Sequence, residues 1–191
     1  MVFVGSTTPS KVGSRLLEAL KELCSFERQR SQLVVVNTDG WVSGGEAEEL
    51  KVKLVCEVES EWVVGLQLSN ELEPILGKLE SKIKVLRLPA SPAVRLRSRG
   101  ERRDLRWQAY SKYLAGASIL NLKAGRVKIL GGKPSPGAIL GLYGSDENFL
   151  GIGVVLVYND RKGFLKILTP VKGFIDRIVV GEVLPDFTLK I

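Results

Sequence analysis

The chain has 191 residues, 45% of them hydrophobic, which is material for one large core or two small ones and excludes general disorder. There is no histidine, and the two cysteines, Cys24 and Cys56, form no CxxC pair; Ser/Cys–His catalysis and a zinc centre are thereby excluded, and both cysteines read as small core residues. No apolar run approaches the ~18 residues that span a bilayer, and MVFVGSTTPSK is not a signal peptide, so the expectation is a soluble cytoplasmic protein with no membrane partner.

VFV (2–4) reads as a short strand, and SRLLEALKELC (14–24) as a helix with Leu16, Leu17, Leu20 and Leu23 at helical spacing. LVVVN (33–37) reads as a buried parallel-type strand. Ser43 and Glu46 predict a capping box that opens a helix running to about Glu59. WVVGLQ (62–67) is a strand, ELEPILGKLE (71–80) a helix with Pro74 in its first turn, and KVLRLP (84–89) a strand. This alternation predicts an α/β layer with a parallel sheet. Ser98 and Glu101 form a second capping box, which opens a helix from about Arg99 to Ala115. Leu105, Ala109 and Tyr113 share one side of it, with Trp107, Tyr110 and Leu114 nearby. After Gly116 the segments 126–130, 138–144, 149–158, 163–171 and 177–184 are strand-like, and NDRKG (159–163) reads as a hairpin turn. The expected organisation is an α/β domain over 1–116 and a small, mostly antiparallel β-rich domain over 117–191.

The net charge is +7, and it is concentrated. Seven basic and two acidic residues lie between Arg95 and Lys112, which places five of the seven net charges there. Localised positive charge is the footprint of a phosphate-rich partner. Arg99, Arg102, Arg103 and Arg106 follow the i, i+3, i+4, i+7 spacing of one helical face. A solvated surface helix more often alternates signs to form i,i+4 pairs. Arginine, with its planar fork, also suits bidentate phosphate contacts. Many Arg, Lys and Glu without His would suit a thermophile.

Two other segments invite a ligand. GSTTPSKV (5–12) tests as a phosphate-binding P-loop and fails, because Ser10 replaces the second glycine and Val12 the Mg²⁺-binding hydroxyl. It reads as a turn with Pro9 near a helix start. NTDGW (37–41) follows a predicted strand, where ligands bind in open α/β sheets. Trp41 there could stack on a base or simply pack the sheet edge.

NTDGWVSG followed by RLPASPAVRLRSRGERRDLRWQAYSKYLAG resembles the polynucleotide 5′-hydroxyl kinases of RNA processing. These are P-loop kinases of mRNA 3′-end formation, tRNA splicing and ribosomal RNA maturation, with archaeal relatives. The resemblance implies a partial P-loop-kinase-like α/β fold followed by the β-rich domain. It implies that Thr38, Gly40 and Trp41, the T-x-G-W motif, clasp an RNA 5′ end. It also implies that Arg102 and Arg106 form the R-x-x-x-R lid and act in catalysis. Arg99 and Arg103 supply a second register and are expected to contact RNA. The family's Walker A loop and catalytic Asp segment precede the part matched here, so ATP and Mg are expected only through a separate P-loop polypeptide. An apolar sheet edge is expected to need cover from that partner or from self-association. Three functions remain open: the clasp-and-lid portion of a 5′-hydroxyl kinase inactive on its own, a non-catalytic RNA-binding or scaffold protein of an RNA-processing complex, and a protein-interaction module.

Overall fold

Parallel pairing is confined to two strands in the first half of the chain, while a larger, mainly antiparallel sheet fills the second half. The computed structural model describes residues 1–95 and 97–183. The chain divides into two compact bodies: residues 8–96, and residues 1–7 together with 97–191.

The α/β body opens with a 3-10 turn, Pro9–Lys11, where proline's missing N–H costs nothing, followed by helix α1 (Gly13–Arg28). Ala19 and Cys24 are buried and the leucines half-buried, the mark of an amphipathic helix. Helix α2 (Gly45–Glu57) buries Ala47, Leu50, Lys51 and Leu54, a continuous i, i+3, i+4, i+7 stripe. The capping box expected at Ser43 and Glu46 does not form. Gly44 is the N-cap, at φ 92°, with no side-chain cap; a glycine adopts this left-handed conformation without Cβ strain. Strand β1 (Trp62–Gln67), helix α3 (Glu73–Leu79) and strand β2 (Lys84–Pro89) follow. β1 and β2 pair in parallel, Val63 opposite Val85 and Leu66 opposite Leu88. Gly65 is buried under Leu76 of α3; a Cβ there would lie 2.7 Å from Leu76 Cδ1. Helix therefore covers one face of this ribbon, while Trp62, Val64, Leu66, Leu86 and Leu88 are exposed on the other.

The strand expected at 33–37 is not a strand. The segment joins no ladder, and Leu33 and Val35 are 78% and 81% exposed. Its branched apolar residues favour a buried parallel strand, yet β1 and β2 pair only with each other, so nothing among the described residues receives it. Cys56 is exposed rather than in the core; Cys24 is buried, and both thiols are free.

In the second body, helix α4 (Arg99–Tyr113) precedes strands β3 (Ser118–Lys123), β4 (Lys128–Leu130), β5 (Ile139–Tyr143), β6 (Phe149–Asn159), β7 (Phe164–Thr169) and β8 (Arg177–Val180). The sheet order is β3-β7-β6-β5-β8-β4, antiparallel except for the β4–β8 pair. Leu140, Leu142, Leu165, Ile167 and Ile178 are fully buried in one core. The NDRKG turn joins β6 to β7, held by Lys162 N–H donating to Asn159 Oδ1 at 2.8 Å.

The strand expected at 2–4 is instead an unladdered strap on this second body. The Phe3 ring lies where a Cβ on Gly141 would be, the Phe3 N–H donates to Tyr143 Oη at 3.3 Å, and Glu182 N–H donates to Gly5 O at 2.7 Å. Helix α4, expected in the α/β domain, also groups with the β-rich body. Its last residue explains why: Tyr113 Oη accepts from Ile152 N–H at 3.0 Å. Gly151, at φ 149°, makes room for that hydroxyl; a Cβ would sit 2.3 Å from it. No helix among the described residues is long and apolar enough to cross a membrane.

Candidate nucleic-acid interface

The T-x-G-W loop lies in the α/β body, between the unpaired 33–37 segment and α2. Asp39 organises it. Its Oδ1 accepts the Trp41 N–H at 2.9 Å, closing a local turn of the kind Asp side chains favour. Its Oδ2 and its backbone carbonyl both accept from Lys51 Nζ, each at 2.8 Å. Thr38 and Gly40 are exposed and Trp41 is half-buried. Nothing lies within 4 Å of where a Gly40 Cβ would be, so the loop is open on that side. Asn37, Thr38, Asp39, Gly40 and Lys51 line one part of a cleft of ≈ 340 Å³, whose remaining wall includes β1 and apolar residues of α2 and α3. The cleft is thus apolar with a few polar groups gathered at the loop, the usual composition of a small-ligand site.

Another loop is rigidly held at the carboxyl end of β1. Glu71 accepts the N–H groups of Leu68 and Ser69 at 2.7 and 2.8 Å, and these bonds hold its carboxyl down at about 2. Arg87 on β2 is fully committed: it donates to both carboxylate oxygens of Glu73 and to Glu80.

The arginines of α4, in the β-rich body, are in a different state. The helix begins with the expected capping box: Ser98 Oγ accepts Glu101 N–H at 3.1 Å, and Glu101 Oε2 accepts Ser98 N–H at 2.8 Å. The Ser98 amide holds the Glu101 carboxyl below its usual range. No residue of α4 is buried. Arg102 donates to the Arg97 carbonyl at 2.6 Å, a bond that leaves its charge uncompensated. Among the described residues, Arg103 meets only the Asp104 carboxylate, at 3.7 Å with both side chains exposed, a contact of little weight. Arg99 and Arg106 meet no carboxylate among the described residues. Trp107, Tyr110 and Leu114 form the half-buried side of the helix, whereas Leu105, on the side read as apolar, is exposed. Burial raises the Tyr110 phenol, partly offset by the Arg106 guanidinium.

The predicted site residues therefore form two groups: Thr38, Gly40 and Trp41 on one loop of one body, and Arg99, Arg102, Arg103 and Arg106 on one helix of the other. Sequence reasoning missed Lys51. Its signal was present, since it occupies a stripe position with Ala47, Leu50 and Leu54, where a lysine needs a buried partner. The Gly5–Val12 segment does not fit a nucleotide phosphate: it is a 3-10 turn leading into α1, with Val12 buried. Among the described residues there is no cluster of acidic, cysteine or histidine side chains that could hold a metal ion.

Residues 1–116 match the family described as the mRNA cleavage and polyadenylation factor CLP1 P-loop. A polyribonucleotide 5′-hydroxyl-kinase of Methanocaldococcus jannaschii is 30% identical over 131 residues, covering 69% of this chain and 36% of that protein. One from Pyrococcus furiosus is 29% identical over 129 residues, covering 68% and 36%. The chain thus spans about a third of the length of the curated relatives it matches. Solved structures of Clp1p with Pcf11p share the fold, with TM-scores of 0.65 and 0.64 at 13% identity, over 88% of this chain and 52% and 51% of theirs. The mixed α/β architecture and the sequence match agree: this chain belongs to the CLP1 P-loop family, the family of the polynucleotide 5′-hydroxyl kinases.

Proposed function

We propose that this chain supplies the RNA-clasping and phosphate-covering part of a polynucleotide 5′-hydroxyl kinase, and that it works only with a polypeptide carrying the ATP- and Mg-binding P-loop. The observation that carries the reading is the exposed apolar face of the β1–β2 ribbon beside an unpaired 33–37 segment. Parallel sheets are covered on both faces, and a naked one calls for the rest of its layer. The curated relatives contain more chain than is matched here: the 131 matched residues are 36% of the M. jannaschii protein.

In this reading Thr38, Gly40 and Trp41 clasp the 5′ end of RNA, the indole stacking on a base. Arg102 and Arg106 close over the moving phosphoryl group, and Arg99 and Arg103 hold RNA phosphates. Phosphoryl transfer is accelerated mainly by positioning and by neutralising charge, and one supplied arginine is worth ~10³–10⁵ in rate. Arginines without carboxylate partners are suited to that role. No ATP or Mg step is assigned to this chain's own residues.

The test mixes the chain with the P-loop portion of the M. jannaschii relative, 5′-hydroxyl RNA and γ-labelled ATP. Label should appear on RNA only in the mixture, and the Arg102→Ala/Arg106→Ala pair should lower the rate at least ~10³-fold. A silent mixture, under conditions where the full-length relative is active, overturns the reading.

A second reading is a non-catalytic RNA-binding or scaffold protein. The uncompensated charge of α4 favours it equally, because that charge needs no ATP site. RNA affinity would then persist without a partner. It would fall steeply with salt, and each lost arginine contact would flatten the log–log slope by roughly one unit.

A further inference from the structure

We infer that Lys51 is the positioning residue of the T-x-G-W loop, latching it to helix α2 through Asp39, the residue in the motif's x position. The inference rests on the reading that this loop clasps RNA.

Lys51 occupies an apolar stripe position on α2, and its side chain is only 7% exposed. Burying an ammonium is costly unless it is paired and hydrogen-bonded. Here two of its three donors go to one residue, Asp39, at the carboxylate and at the backbone carbonyl, both at 2.8 Å. The other carboxylate oxygen of Asp39 takes the Trp41 amide at 2.9 Å. A continuous chain of short charge-assisted bonds therefore runs from a packed helix to the backbone of the tryptophan, with Thr38 and Gly40 on either side of the bridging residue. The Lys51 charge is matched by the Asp39 carboxylate, so it adds no net positive charge for a phosphate. Its action on a ligand passes through the loop it holds. A stripe of Ala47, Leu50 and Leu54 would accept methionine at position 51 with similar volume, and the penalty for removing one partner of an ion pair arises from stranding the other charge in the interior. The Asp39 carboxylate, 31% exposed on its side chain, remains accessible to water. A purely structural role thus predicts little change in Lys51→Met, and a positioning role predicts a folded protein with a loosened loop.

The experiment measures amide hydrogen exchange by NMR, and anisotropy with a labelled 5′-hydroxyl oligoribonucleotide, for the whole chain and for Lys51→Met, Lys51→Arg and Lys51→Gln. In Lys51→Met, protection of the Trp41 amide should fall about tenfold, a change of ~1.4 kcal/mol, while the Leu54 amide is unchanged. RNA affinity should fall by a similar factor, and Lys51→Arg should restore part of both. Wild-type Trp41 protection in a folded Lys51→Met protein overturns the latch. Lost protection with unchanged RNA affinity supports the latch and refutes the clasp reading of the loop, so the two failures are distinguishable. If Lys51→Met does not fold, Lys51→Gln, which removes the charge but keeps a polar end and leaves the Asp39–Trp41 bond intact, gives the same readouts with the same outcome overturning the latch.

Discussion

The two bodies of this chain solve the burial problem differently. The β-rich body closes on itself: five of its branched residues, from Leu140 to Ile178, are fully buried in one core. The α/β body buries Leu76 and Leu79 of α3 as completely, yet turns Trp62, Val64, Leu66, Leu86 and Leu88 outward from the ribbon beneath that helix. Charge follows the same division. In the α/β body Arg87 is consumed by Glu73 and Glu80, whereas Arg99 and Arg106 of α4 meet no carboxylate among the described residues. The β-rich body thus leaves the charge of α4 unmet, and the α/β body leaves one apolar face of its ribbon uncovered. Each unfinished surface is a place where a ligand or partner adds energy.

The contrast is broken most sharply by truncating equivalent leucines. Leu140→Ala should destabilise the β-rich body by ~2–5 kcal/mol, the cost of a core cavity. Leu66→Ala should change the stability of the α/β body by no more than about 0.5 kcal/mol. Urea denaturation followed by probes in each body checks both. A cost at Leu66 as large as at Leu140 would mean that the ribbon face is covered in solution.

A smaller effect tests how α4 is attached. Gly151→Ala combines positive φ with a clash on the Tyr113 hydroxyl and should cost ~1–3 kcal/mol. Tyr113→Phe removes only the hydrogen bond to Ile152 and should cost about 1 kcal/mol. Both should raise hydrogen exchange along α4 without affecting α2.

The smallest effect is on acidification, and it sharpens the comparison between loops. Glu71 and Glu101 both have carboxyls depressed by backbone N–H groups. Their contribution is complete above the unfolded glutamate value of about 4.3 and is lost as pH falls through the folded value. For Glu71 that value is about 2. The Leu68 and Ser69 amide shifts should therefore keep their neutral-pH positions well below pH 4 and change only near pH 2, and the Ser98 amide should report the loss of the α4 cap below the usual glutamate range.

Much of this was legible in local pattern. The helices at 13–28, 73–79 and 99–113, the β1 and β2 strands, the hairpin at 159–163 and the Ser98 cap all follow from spacing and turn chemistry within a few residues. The failures share a cause. Leu33 to Val36 carry a strand's composition, but composition states a need for burial and not whether a neighbour is there to satisfy it. Gly44 took the cap that Ser43 seemed to offer, because a glycine able to adopt positive φ stood nearer the helix start. Strand β3 was missed because its alternation is confined to the four residues from Leu120 to Lys123, with Ile119 exposed on the outer side, as suits an edge strand paired on one side only. The site was legible as residue types and not as connections. T-x-G-W and the arginines stand out in sequence, but the bond from Lys51 to Asp39 spans twelve residues and two elements, beyond the reach of local pattern.

Fixing α4 to the sheet at Tyr113 makes the helix a lever with its fulcrum at one end. At 1.5 Å rise per residue Arg99 stands about 21 Å from that point and Arg106 about 10 Å. A tilt of about 10° therefore carries Arg99 by ~4 Å but Arg106 by only ~2 Å. The guanidinium groups thus form a graded series in reach, the outermost sweeping about twice as far as Arg106 for the same tilt.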